Sequence, residues 1–222
     1  AKARIEVPSL GRWVEVKVNA PDVLREELRG KRPGFVRFSP ILTDPYQGVE
    51  RTYRVTRRCL EALVGTGFVP VILTRAARVR DDLELLRRFP QAAVGFSIPT
   101  DDDAMRALFE PGGDPIDERF DALESFHAAG IATFGIVQPM LPMDVDRLVA
   151  RMAPLVRAVR IDRMYELPKM LPTYREAGLL DASTDAFFER TGAALRAGFR
   201  ARGVVIDDLD DLAGSLGLRA PA

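Results

Sequence analysis

From residue 35 to residue 162, short apolar runs alternate with longer amphipathic ones, and this rhythm limits the folds open to the chain. The apolar runs are GFVRFSP (34–40), VPVILT (69–74), AAVGFSIP (92–99), IATFGIVQP (131–139) and RAVRID (157–162). They are nearly continuous in apolar character, as strands of a parallel sheet covered on both faces must be. The segments between them predict helices at 48–67, 80–89, 101–109, 114–130 and 144–156. The 48–67 segment carries its apolar stripe on Val49, Tyr53, Thr56, Leu60, Leu63 and Val64, at helical spacing. Repeated βα units of this length predict a βα barrel, full or partial, or a doubly wound sheet.

The flanks are read in the same way. WVEVKV (13–18) alternates like a strand, and APDVLREELRG (20–30) like a helix, with Pro21 near its start and Gly30 at its end. Beyond 162 the chain is expected to loop through Pro168 and Pro172 to a helix at 184–202. GVVID (203–207) reads as a last short strand and LDDLAGSLG as a final helical turn or two.

Hydrophobic residues make up 47% of the 222 residues, enough for a core, so disorder is not the expectation. The 32 basic residues balance 32 acidic ones, which removes net charge as an argument for nucleic acid or an anionic membrane. The Arg-rich helix 48–67 (Arg51, Arg54, Arg57, Arg58) is read as the solvated outer face of a barrel helix. One cysteine and one histidine cannot build a disulfide within the chain or a zinc site, and they point to a cytoplasmic protein. No apolar run approaches the roughly 18 residues that span a membrane. His127, on the Ile116, Phe120, Leu123 stripe, is read as a packed or rim residue, and Cys59, beside Leu60 and Leu63, as a buried inert thiol.

In either architecture the site lies at the carboxyl ends of the parallel strands. The residues found there are Thr43-Asp44, Thr74-Arg75, Ser97 with Thr100, Gln138, and Asp162-Arg163, all polar or charged. Arg75 could clamp a carboxylate, and Thr43 and Ser97 could donate hydrogen bonds. Asp44 or Asp162 could accept from a hydroxyl or ammonium group. Strand ends also carry Thr, Asp and Ser simply as caps and turn formers, so the set is stronger than any member of it. No G-x-G-x-x-G or P-loop is present, and Gly112-Gly113 reads as a turn before a helix.

Several separated motifs carry a resemblance. They are T-D-P-Y-Q (43–47) with a following Glu50-Arg51, T-R (74–75) after a strand, F-S-I (96–98) followed by the Glu110-Pro111 turn, and A-G-I (129–131) before VQPMLP. In this order, over about residues 12 to 142, the chain resembles the radical SAM proteins of the spore photoproduct lyase-like group. The resemblance implies an α/β fold, a partial (β/α)6 TIM-like barrel of parallel strands, here expected to lack its first strand. It implies a [4Fe-4S] cluster held by a C-x3-C-x2-C loop, and S-adenosylmethionine cleaved reductively to a 5′-deoxyadenosyl radical. A flavodoxin or ferredoxin would supply the electron. Matched residue by residue, Thr43 falls where relatives contact S-adenosylmethionine, Arg75 where a basic side chain meets its carboxylate, and Ser97 near the ribose or methionine part. Asp44 and Gln138 complete the candidate cofactor-binding set. Ile41 stands where spore photoproduct lyases carry a hydrogen-donor cysteine, so thymine-dimer repair by that route is not expected and the substrate is open.

The cluster cysteines are absent, and the expectation is that they lie just upstream of Ala1, residues 1–162 forming the barrel core and 163–222 a helical extension. The alternatives are a non-radical βα-barrel enzyme using Asp and Arg at strand ends, and a degenerate cluster-less barrel acting as a binding protein. Reading the codons before Ala1 checks the fragment expectation: a C-x3-C-x2-C pattern within a few tens of codons is the expected result, and its absence would sink it.

Overall fold

The computed structural model describes residues 14–40, 43–207 and 211–219. In chain order the elements are α1 (Ala20–Glu27), β1 (Phe35–Phe38), α2 (Glu50–Tyr53), α3 (Val55–Leu63) and β2 (Val69–Thr74). A 3-10 segment (Ala77–Asp82), α4 (Leu83–Leu86), β3 (Ala93–Ser97), α5 (Asp103–Phe109), α6 (Ile116–Ala128) and β4 (Ala132–Val137) follow. Then come α7 (Val145–Met152), β5 (Ala158–Ile161), α8 (Leu167–Glu176), α9 (Asp185–Ala201), β6 (Val205–Ile206) and α10 (Leu212–Ser215).

The described strands form one sheet in the order β1-β2-β3-β4-β5-β6, every pair parallel. This order decides between the two architectures. A doubly wound sheet reverses its strand order at a switch point, whereas successive right-handed crossovers in one direction put every helix on the same face and curl the sheet into a barrel wall. The side chains divide accordingly. Ile72, Val94, Phe96, Val137, Val159 and Ile161 face the helices in the main core. Val71, Ala93, Phe134 and Ala158 face the concave side in a second cluster, which Leu216 joins. The segment holding Leu216 crosses the amino-end side of the wall. There Gln91, just before β3, accepts from the Arg219 N–H (2.9 Å) and donates to the Arg219 carbonyl (3.2 Å).

Four local expectations are corrected. Residues 14–18 are coil and turn, with Trp13 outside the described residues, because no described strand pairs with the alternating valines; Val18 is 50% exposed. The 48–67 helix is broken. Arg54 takes a left-handed φ of 49°, and the Glu50 carboxylate turns back to accept from the Arg57 N–H (3.1 Å), capping α3. Tyr53 is consequently exposed rather than part of the stripe. The expected loop at 163–183 contains α8, because Pro168 sits in its first turn, where a missing N–H costs nothing, although Pro172 lies inside. His127 is exposed, because the buried face of α6 runs through Phe126 instead. Cys59 is buried on α3.

Two glycines make the wall possible. Gly95 faces Phe134 across the concave side, and a Cβ there would lie 2.2 Å from the ring. Gly135 faces Met152 on the helix side, where a Cβ would lie 2.5 Å from the sulfur. Gly95→Ala is therefore expected to destabilise the fold by about 1–3 kcal/mol through overpacking, with Phe134→Leu recovering part of the loss. Urea midpoints check this, and an unchanged midpoint for Gly95→Ala would refute the close approach. Burial pushes the Cys59 thiol up to about 11. The native state thus keeps the proton while the unfolded chain ionises above about pH 8.5, so this residue's contribution to stability falls as pH rises through that window. Thiol labelling at pH 9 is expected to be slow and to track unfolding; rapid stoichiometric labelling of native protein would contradict the burial.

Candidate functional site

The T-D-P-Y-Q turn is held by its own side chains. Asp44 Oδ1 accepts from the Tyr46 N–H (2.8 Å), closing a turn around Pro45, and from Thr74 Oγ1 (2.6 Å). Asp44 Oδ2 accepts from the Arg75 N–H (2.9 Å). One carboxylate thereby ties the loop after β1 to the end of β2, a use of Asp that turn chemistry favours. Pro45 accepts from Thr56 Oγ1 (2.5 Å), anchoring the same turn on α3.

Tyr46 points inward and is 3% exposed. Its hydroxyl donates to Asp82 Oδ2 (2.8 Å), while Arg57 Nη1 donates to Asp82 Oδ1 (2.6 Å). Burial raises the Asp82 carboxyl above its ordinary value, against the hydrogen bonds from Tyr46 and Arg57, which lower it. Burial also raises Tyr46, with Asp82 adding to the shift. Glu50 is raised by burial too, partly offset by the backbone N–H groups of α3 that it caps. Arg57 is thus a partner of a buried acid rather than only a solvated surface charge, whereas Arg51 and Arg54 are exposed.

Thr43 is exposed next to Asp44. Arg75 reaches into a rim cavity of about 650 Å³ that Asp44, Arg51, Glu110 and Gly113 also line. Its Nη1 lies 3.0 Å from Glu110 Oε1, and its Nε is buried with no hydrogen-bond acceptor. Ser97, at the end of β3, donates through Oγ to the Gln138 carbonyl (2.8 Å), joining the β3 and β4 ends. Gln138 lines a smaller concave cavity of about 180 Å³ together with Arg37, Leu73, Phe134 and Arg160. The five candidates therefore share one rim but not one recess: Asp44 and Arg75 border the outer, Gln138 lines the inner, Ser97 braces the strand ends beside it, and Thr43 lines neither. Of the other strand-end residues, Thr100 is fully buried and donates to the Pro142 carbonyl (2.7 Å). Asp162 accepts from Arg160 Nε (2.7 Å), and Arg163 pairs with Asp185. Ile41 lies outside the described residues.

Two residues at the rim were not among the candidate site residues: Glu110 was read only as part of the Glu110-Pro111 turn, and Arg119 was not singled out. Glu110, with a side chain 6% exposed, and Arg119, with a side chain fully buried, form an ion pair at 2.7 Å. Arg119 Nε also donates to the Asp114 carbonyl (2.9 Å) and its Nη1 to the Ser97 carbonyl (2.8 Å). Burial draws Arg119 below the usual arginine value, with Glu110 pulling the other way. The one available signal was an arginine set between Ile116 and Phe120 on the buried face of α6.

A [4Fe-4S] cluster finds no ligands here. The chain has one cysteine, on the helix side, and the described residues contain no group of three His, Cys, Asp or Glu able to hold a metal. S-adenosylmethionine fits better, because the Arg75 guanidinium, on a side chain 39% exposed, borders a roomy polar cavity. No described helix is long and apolar enough to cross a membrane.

No family model matches the chain. An uncharacterised protein of Methanocaldococcus jannaschii is 26% identical over 147 residues, covering 65% of this chain and 54% of that protein. An uncharacterised protein of Mycobacterium tuberculosis is 33% identical over 139 residues, covering 60% and 40%. The radical SAM Nα-GlyT isomerase of Pseudomonas phage M6 is 26% identical over 145 residues, covering 63% and 30%. The matched regions thus span about half or less of these relatives' lengths. Among solved structures, a spore photoproduct lyase variant superposes with a TM-score of 0.62 at 15% identity, covering 87% of this chain and 67% of the other. A variant with bound AdoMet and dinucleoside spore photoproduct gives 0.60 at 15% identity, with the same coverage. The chain has the partial-barrel fold found in spore photoproduct lyase, and among its sequence relatives is the phage protein named a radical SAM isomerase.

Proposed function

We propose that this chain is the S-adenosylmethionine-binding barrel of a radical SAM enzyme, whose cluster cysteines are supplied by parts of the whole protein other than these residues. The observation that carries the reading is Arg75: a guanidinium held at the carboxyl end of a parallel strand, its side chain 39% exposed and bordering a polar cavity. In this role Arg75 takes the methionine carboxylate through a charge-assisted contact. Thr43 and Ser97 flank it on the neighbouring strand ends. Asp44 acts by position, because its carboxylate already serves three protein donors. When bound, S-adenosylmethionine would supply radical chemistry, one electron from a flavodoxin- or ferredoxin-type donor breaking its carbon–sulfur bond with methionine leaving. The chain's own residues hold the ligand, and the concave face offers the substrate a polar recess between Arg37, Gln138 and Arg160. The phage relative and the dinucleoside-bound lyase support an enzymatic role.

The whole protein, reconstituted anaerobically with iron and sulfide, is expected to show a [4Fe-4S] spectrum and to cleave S-adenosylmethionine on reduction. Failure of both with a C-x3-C-x2-C loop present would sink the proposal. Arg75→Ala is expected to weaken S-adenosylmethionine binding about tenfold or more, the loss of one charge-assisted contact. The 222-residue chain alone is expected to bind S-adenosylmethionine weakly, and tight binding by isothermal calorimetry would contradict the need for the cluster.

A further inference from the structure

Two guanidiniums share one carboxylate at the rim. Glu110 meets Arg119 at 2.7 Å through Oε2 and Arg75 at 3.0 Å through Oε1. The three side chains carry one net positive charge. Where that charge is felt depends on access. Arg119 is fully buried and spends its other donors on the Asp114 and Ser97 carbonyls. Glu110 is 6% exposed, but the Arg75 side chain is 39% exposed and borders the rim cavity. The arrangement requires room that the backbone supplies: a Cβ on Gly113 would lie 2.4 Å from Arg119 Nη2.

If Glu110 faced Arg75 alone, the two would neutralise each other, and the rim would offer an anion little attraction. Arg119 alters the balance by compensating Glu110 from below. We infer that Arg119 and Glu110 are positioning residues: Glu110 tethers Arg75 by one nitrogen, and Arg119 cancels the charge of Glu110, so that the triad keeps one positive charge on Arg75 for a ligand carboxylate in a cavity whose lining otherwise mixes Arg51, Arg78 and Arg80 with Asp44, Asp81, Asp114 and Glu118. This rests on the reading that the methionine end of S-adenosylmethionine lies against Arg75. Neither residue touches the ligand in this role; each acts through Arg75. The contribution is electrostatic as well as architectural: the charge balance of the triad, and not only the geometry of a buried pair, sets what Arg75 presents.

The test is a charge rescue in the whole, cluster-loaded protein, read by calorimetric affinity rather than turnover. Two probes are used, S-adenosylmethionine and its decarboxylated analogue. Arg119→Met leaves Glu110 to neutralise Arg75, and the dissociation constant for S-adenosylmethionine is expected to rise about tenfold. Adding Glu110→Gln restores the free charge on Arg75, and affinity is expected to return to within about threefold of the parent protein. The decarboxylated analogue, with no carboxylate to lose, is expected to shift less than about threefold in either variant. Melting curves and circular dichroism establish that both variants fold. If the double variant folds yet binds S-adenosylmethionine no better than Arg119→Met, the pair serves structure only and the inference is overturned. If Arg75→Met leaves the affinity unchanged, the underlying placement of the carboxylate fails instead, a separately readable result. Should Arg119→Met not fold, Glu110→Gln alone decides: it keeps a polar side chain but removes the negative neighbour of Arg75, so an affinity improved about threefold or more supports the inference, and an unchanged or weaker affinity in a folded protein overturns it.

Discussion

The rim of this barrel depends on the Asp44 carboxylate. Three protein donors converge on it, from the turn that follows β1, from the last residue of β2 and from the residue beyond. Parallel strands have their hydrogen bonds within the sheet, but their carboxyl ends run out into loops with nothing intrinsic to hold them in register. Asp44 supplies the missing tie. Because it grips the backbone of Arg75, the position of that residue is set by the first turn as much as by its own strand. The same turn is locked inward by Tyr46 on Asp82 and outward by Thr56 on the Pro45 carbonyl. What looks in the sequence like a cofactor motif is first a device for making two strand ends behave as one body.

A second constraint is the buried arginine beneath the rim. Taking a guanidinium wholly out of water is expensive, and breaking such a pair by removing one partner typically costs about 3–5 kcal/mol. Arg119 has its three nitrogens on a carboxylate and two carbonyls, one of them belonging to the last residue of β3. The Ser97 backbone is therefore pinned from below by Arg119, and the Ser97 hydroxyl pins Gln138 in turn. From β1 to β4 the strand ends are cross-braced by polar contacts, while apolar packing holds the wall behind them.

Much of this was legible in the residues. The strands β1 to β5 announced themselves as apolar runs bounded by turn formers, and the βα alternation limited the topology to two choices that strand order then resolved. The departures have physical reasons. The alternation in residues 14–18 has the period of a strand, but a strand is made by its neighbour, and no described strand lies beside it. The stripe from Val49 to Leu63 gave no sign of a break, because one left-handed residue at Arg54 barely disturbs the average period; the sign was Glu50, whose carboxylate caps the second helix. Asp44, Arg75, Ser97 and Gln138 could be placed on one rim because topology confines strand-end residues there. The pairing of Glu110 with Arg119 could not be read in this way, since it is made across a loop by three-dimensional proximity and leaves no periodic trace.

The reciprocal clasp between Gln91 and Arg219 has a practical meaning for anyone handling the protein. It fastens the described end of the chain on the side where strands begin, away from the edge where ligands would gather. Whatever is joined after residue 219 sets out from the underside of the barrel. A protein anchored to a surface by that end would stand with its mouth turned toward the solution.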